Sequence, residues 1–139
     1  MSKQLDPNIL APIKKVAKFL ATGDMKLLSA FAEEGVVIIE NFPPYLFEGA
    51  DAVERWAKII TSWHEPVSDL LLKYSFGDVQ DLRVQDGVAF LSLPTHWTGI
   101  RCGGPFKEDG GWAFILKQQK NGEWKIRSYG WAVTYQKDG

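Results

Sequence analysis

The sequence predicts an α+β domain, three N-terminal helices packed on a curved, mostly antiparallel β-sheet that encloses an apolar pocket. Three observations predict it. Helical apolar spacing is confined to the first half of the chain, and strand-like runs joined by hairpin turn signals fill the second. Aromatic residues make up 13% of the 139 residues, with six Trp and eight Phe, enough for a thick core, a pocket lining or a subunit interface. Helices first and a meander of strands afterward place the helices on one face of the sheet.

Asp6-Pro7 opens the first helix as an N-cap followed by Pro in the first turn. Ile9, Leu10, Ile13, Val16, Ala17 and Leu20 then recur at helical spacing, leaving Lys14, Lys15 and Lys18 outward. Gly23 ends that helix, and Asp24 caps a short second helix carrying Leu27, Leu28 and Phe31, closed by Gly35. Residues Val36 to Glu40 are mostly β-branched and read as a strand. Asn41 to Phe47, interrupted by Pro43-Pro44, reads as a loop. A third helix spans roughly Ala50 to Trp63, burying Val53, Trp56, Ala57, Ile60 and Trp63, and Pro66 stops it.

Four longer strands follow. The first covers roughly Leu71–Val84 with an irregularity near Gly77-Asp78, and the second roughly Val88–Ile100 after the Asp86-Gly87 turn. The third covers roughly Trp112–Gln119, and the fourth Trp124–Tyr135 after the Asn121-Gly122 hairpin signal. Cys102–Gly111 is Gly-rich and reads as a flexible hairpin loop. Neither Gly pair in it is a phosphate loop, because each lies between strands and no Gly-Lys-Ser/Thr follows.

Sixteen basic residues oppose seventeen acidic ones, interspersed, for a formal net charge of -1. No basic field suited to a phosphate backbone results, so nucleic acid is not an expected partner. Cys102 is the lone cysteine, which points to a reducing compartment. No signal-peptide pattern opens the chain, and no apolar run approaches the ~18 residues of a membrane span. A cytoplasmic location follows as the expectation, with no membrane partner. His64, His96 and Cys102 lack ligand-like spacing, so neither a metal site nor a cofactor is expected.

The order of elements resembles the nuclear-transport-factor-2-like superfamily, which includes ketosteroid isomerases and SnoaL-like polyketide cyclases. Three landmarks carry the resemblance, and together they span about Ile9 to Val133. The first helix leads to Gly23-Asp24 and a short second helix. The short strand ends at Glu40, before a loop and Phe47-Glu48-Gly49 at the start of a long helix. Asn121-Gly122-Glu123-Trp124-Lys125-Ile126 then forms a hairpin into a closing strand that ends near Trp131. A chain of 139 residues with no linker fits a single domain, 1–139, and the resemblance implies a cone-shaped pocket and frequent homodimers, but no particular reaction.

Glu40 is the principal candidate for chemistry. In ketosteroid isomerases the catalytic carboxylate ends this strand nine positions before the Gly preceding the third helix, and Glu40 stands nine before Gly49, although the family residue is Asp. Alternation places Val36, Ile38 and Glu40 on one face, toward apolar surroundings, where desolvation raises a carboxyl pKa toward that of a proton shuttle. A strand-end Glu facing water or paired with an Arg is the alternative. The family's oxyanion donors do not carry over, since the matching positions are Val16 and Phe114, and neither side chain can donate a hydrogen bond.

Arg127 and Tyr45 are candidate substitutes, Tyr45 from the loop after Glu40 and Arg127 from the last strand. Simple alternation makes Trp124 and Ile126 inward and Arg127 outward, unless a bulge near Gly130 reverses the facing. Val16, Leu20, Ile38, Phe47, Trp56, Ile60, Leu93, Trp97, Trp112, Phe114, Tyr129 and Trp131 are the candidate pocket lining; Trp56 also fits a purely structural core role. His96 falls on the face opposite Leu91, Leu93, Thr95 and Trp97. Three functions stay open: binding of a small apolar ligand with proton abstraction next to a carbonyl by Glu40; a non-catalytic module that dimerises through its sheet; and epoxide or water-adding chemistry of the hydrolase or dehydratase kind.

Overall fold

The computed structural model describes residues 6–64, 71–101 and 103–138; Pro66 and Cys102 lie outside them. Helix α1 runs Pro7–Thr22. The Asp6 carboxylate accepts the Asn8 backbone N–H at 2.9 Å, and Gly23, at φ 75°, ends the helix by donating to Phe19 O. Ile9, Ile13, Val16, Ala17, Phe19 and Leu20 are buried, while Lys14, Lys15 and Lys18 are exposed. The second helical segment, Met25–Ala30, is a 310 helix rather than an α-helix. Six residues are too few for a packed α-helical stripe, and Phe31 leaves the segment to bridge Ile126.

Strand β1 (Val37–Ile39) and the two-residue β2 (Leu46–Phe47) form a small antiparallel hairpin. The expected loop therefore returns to the sheet at its end, turning through a cis Pro43–Pro44 peptide and Tyr45 at φ 71°. Helix α2 (Ala52–Trp63) buries Ala52, Trp56, Ala57 and Ile60. Trp63 departs from the expected buried stripe: it is 37% exposed at the helix end, its edge against Phe42 at 5.0 Å.

The expected strand from Leu71 to Val84 is two strands, β3 (Lys73–Phe76) and β4 (Gln80–Gln85), interrupted where an irregularity was anticipated. Asp86 (φ 52°) and Gly87 (φ 74°) turn into β5 (Val88–Arg101), both in the left-handed region that a tight hairpin requires. Strand β6 runs Gly104–Gln118, so most of the stretch read as a loop is strand, paired without a break from Val88↔Lys117 to Arg101↔Gly104. Its glycines are not turn residues. Gly110 is inward and lies beneath the Trp131 ring, which would stand 2.7 Å from an added Cβ. Strand β7 (Trp124–Asp138) completes the sheet.

The seven strands make one unclosed sheet in the order β2-β1-β7-β6-β5-β3, with β4 also paired to β5; among the strand pairs of the described residues, β1–β7 is parallel and the others antiparallel. Helix α1 packs on β7 and β3, and α2 on β1 and β2. Two bulges in β7 decide what faces inward. Leu116 opposes Ile126 while Ile115 opposes Ser128, so Arg127 is the extra residue; Thr134 is extra in the same way between Val133 and Tyr135. The facing switches at Arg127 rather than at Gly130. Trp124 and Ile126 are buried before it, and Tyr129 after it, with Trp131 half-buried two residues on.

Candidate functional site

Glu40 follows directly on β1, whose Ile38 opposes Tyr129 across the parallel junction. Val36, Ile38 and Glu40 are buried and Ile39 is 51% exposed, so the carboxylate shares the inward face. Its backbone N–H donates to Tyr45 O at 2.9 Å, fixing the strand end. The residue is 7% exposed. Tyr129 donates its hydroxyl to Oε2 at 2.5 Å, and Trp56 Nε1 donates to the same oxygen at 2.9 Å. No donor among the described residues is directed at Oε1.

Burial pushes the Glu40 carboxyl up from 4.5 to about 7. The Tyr129 and Trp56 hydrogen bonds pull it down, and the charge of Glu108 adds a further upward push. The Tyr129 hydroxyl is held well above its usual 10, first by its own burial and then by the Glu40 charge and hydrogen bond. Tyr129 therefore remains a neutral donor, while Glu40 exchanges its proton near neutrality.

Aromatic rings surround this group. Tyr129 packs edge-on against Trp56 at 6.0 Å and Trp112 at 5.4 Å, and lies 5.7 Å from Phe114. Trp97 and Trp131 extend the wall beyond Trp112 at 5.9 and 6.0 Å. Val16, Leu20, Ile38, Phe47, Trp56, Ile60, Leu93, Trp97, Trp112, Phe114 and Tyr129 all belong to one buried cluster, with Trp131 packed against it.

A second carboxylate is buried on the same side of the sheet. Glu108, on β6, is 8% exposed. It accepts Trp131 Nε1 at 2.7 Å on Oε1, Gln136 Nε2 at 2.9 Å on Oε2, and Asn41 Nδ2 at 3.5 Å. Trp131 reaches it by lying across Gly110, and the Thr134 bulge sets Gln136 opposite it. Glu108 was not singled out from the sequence, nor was the donor role of Trp56 and Tyr129. The signal for Glu108 was alternation of Phe106, Glu108, Gly110 and Trp112 on one face, hidden by glycines that resemble a loop.

The remaining candidates lie apart from Glu40. The Arg127 guanidinium rests against Gly35, close enough that a Cβ there would meet Nη2 at 2.7 Å, and makes no bond to Glu40. Tyr45 is 57% exposed and contributes to the site through its backbone carbonyl. His96 pairs with Asp109 at 2.8 Å on the outer face, and His64 Nε2 donates to Leu20 O at 2.9 Å, tying the two α-helices together. Val16 and Phe114 are buried apolar side chains. Among the described residues, no group of three His, Cys, Asp or Glu is placed to hold a metal, and no helix is long and apolar enough to cross a membrane.

No protein-family model and no curated protein matches the sequence. Solved structures do match the fold. A ketosteroid isomerase, so described with reservation, from Shewanella frigidimarina is 16% identical, covering 91% of this chain and 96% of its own, at a TM-score of 0.72. A protein described in the same way as a scytalone dehydratase, from Novosphingobium aromaticivorans, is 12% identical over 95% of this chain and 85% of its own, at 0.75. A calcium/calmodulin-dependent protein kinase II association domain from Xanthomonas campestris, again so described with reservation, is 15% identical over 96% of this chain and 95% of its own, at 0.71. The chain has the nuclear-transport-factor-2-like fold. At these identities the likeness establishes architecture alone.

Proposed function

We propose that this chain binds a small, mostly apolar carbonyl compound and moves a proton on it, with Glu40 as the base. The observation that carries this reading is a buried carboxyl with both its hydrogen bonds on one oxygen, where burial pushes its pKa up to about 7. Oε2 is held by Tyr129 and Trp56, which leaves Oε1 to take the proton. In the step, the C–H bond next to the carbonyl breaks, the proton passes to Oε1, the C–H pair forms a C=C bond to the carbonyl carbon, and the C=O π pair moves onto oxygen, giving an enolate. When the substrate carries a β,γ C=C bond the anion is a dienolate, and return of that proton to its γ-carbon gives isomerisation and regenerates Glu40. The aromatic surroundings supply an apolar lining and exclude water. Ligand identity apart, no cofactor is needed for this chemistry.

Deuterium exchange at the α-carbon of 2-tetralone, followed in D2O, tests the reading. Wild-type protein accelerates exchange, and Glu40→Gln loses roughly 100-fold or more of that acceleration, the usual scale of a general base. Equal rates for the two proteins remove Glu40 from the role.

A second reading is favoured by the sheet's other face. Ile39 at 51%, Val88 at 41% and Tyr135 at 49% are exposed large side chains, and one structural neighbour is described as an association domain. In this reading the sheet pairs two copies as a homodimer. Sedimentation at micromolar concentration separates it from a monomer. The water-adding alternative draws on the second carboxylate, Glu108, but not on Arg127.

A further inference from the structure

Two indoles of this cluster donate to the carboxylates, and a third, among the described residues, buries its N–H without an acceptor. Trp56 donates to Glu40 and Trp131 to Glu108. Trp112, 1% exposed on β6, buries its Nε1 with no partner. Folded proteins rarely leave a buried N–H unsatisfied, because its lost hydration is returned only by an acceptor. Its neighbours are ring faces and edges: Phe114 at 4.8 Å, Tyr129 at 5.4 Å, Trp97 at 5.9 Å and Trp131 at 6.0 Å. Tyr129, the ring against which Trp112 packs at 86°, carries the hydroxyl bound to Glu40. The orphan donor and the base are thus one ring apart.

We propose that the Trp112 indole N–H is the donor that holds the oxygen of a planar, neutral, carbonyl- or hydroxyl-bearing ligand beside Glu40. The inference rests on the proposed function and adds what that reading lacks, a donor for the developing enolate oxygen, since Val16 and Phe114 cannot supply one. Two neighbouring carboxylates disfavour an anionic ligand, and surrounding rings favour a flat one. The indole is neutral at every relevant pH, so it stabilises the oxyanion through its N–H dipole without accepting or losing a proton.

The test uses 2-naphthol, an enol mimic, and naphthalene, the same ring without oxygen, on the whole protein. Trp112→Phe keeps an aromatic ring and removes the N–H. It is expected to weaken 2-naphthol binding roughly tenfold, the usual scale of one lost hydrogen bond, and to leave naphthalene binding unchanged. In ¹⁵N-tryptophan-labelled wild type, which has six indoles, the Trp112 indole proton moves downfield with 2-naphthol and not with naphthalene. That signal is assigned by its loss in the variant, or by contacts to Tyr129 and Phe114 protons if the variant does not fold. Equal weakening of both probes, or an unmoved Trp112 signal at saturating 2-naphthol, overturns the donor role while the pocket reading stands. Binding of neither probe to wild type overturns the pocket reading and this inference with it.

Discussion

Tyr129 and Glu40 meet at 2.5 Å beside the parallel junction of β1 and β7, hydroxyl to carboxylate, with Trp56 on the same oxygen at 2.9 Å. Because desolvation outweighs these two bonds, the native state holds the Glu40 proton more tightly than the unfolded chain does. The native value, about 7, lies above the unfolded one, 4.5, so protonation favours folding. The contribution is fully present below pH 4.5 and is lost as pH rises through 7. Its size is about 3 kcal/mol. Denaturation of wild type and Glu40→Gln across pH 4 to 9 checks this. The variant is expected to lose that slope and to be the more stable of the two above neutrality.

Tyr129→Phe removes the stronger donor and keeps the ring. The bond pulls the carboxyl down, so its loss moves the Glu40 midpoint further upward. The pH–rate profile for tetralone exchange, which rises as Glu40 loses its proton, shifts to higher pH. Trp56→Phe moves it the same way, with a larger stability loss from the fully buried indole.

Gly110→Ala tests the route by which Trp131 reaches Glu108. An added Cβ meets the Ala132 carbonyl and stands 2.7 Å from the Trp131 ring, so the indole must leave. The expected cost is about 2 kcal/mol from overpacking, together with loss of the Trp131–Glu108 bond and a red shift of tryptophan emission. Denaturant titration with fluorescence reads both.

Arg127 and Gly35 form a contact remote from the carboxylate. Arg127→Met is expected to leave the Glu40 midpoint unchanged and stability within about 1 kcal/mol. Gly35→Ala, at φ 74° and 2.7 Å from the guanidinium, is expected to cost about 1–2 kcal/mol. A matched pair of thermal melts and pH titrations distinguishes them.

The helices, β1, the hairpin turns and the inward face of β5 were legible because each is written locally, in caps, periodicity and turn residues. Glu40's facing followed from alternation over Val36 and Ile38. What could not be read depends on contacts between distant strands. The Arg127 and Thr134 bulges are set by the β6 register, and Gly104 to Gly111 is held as strand by Pro94 to Arg101 and not by its own propensity. Tyr129 and Trp56 stood among the candidate lining, but their convergence on one oxygen, 89 and 16 residues from Glu40, belongs to the assembled fold.

The titration of the Glu40 side-chain carboxyl carbon by NMR, assigned by its absence in Glu40→Gln, bears most directly on the account. A midpoint near 7 is the predicted result. A midpoint at the ordinary 4.5 would mean a solvated carboxylate, and the buried base on which the proposed chemistry depends would not exist.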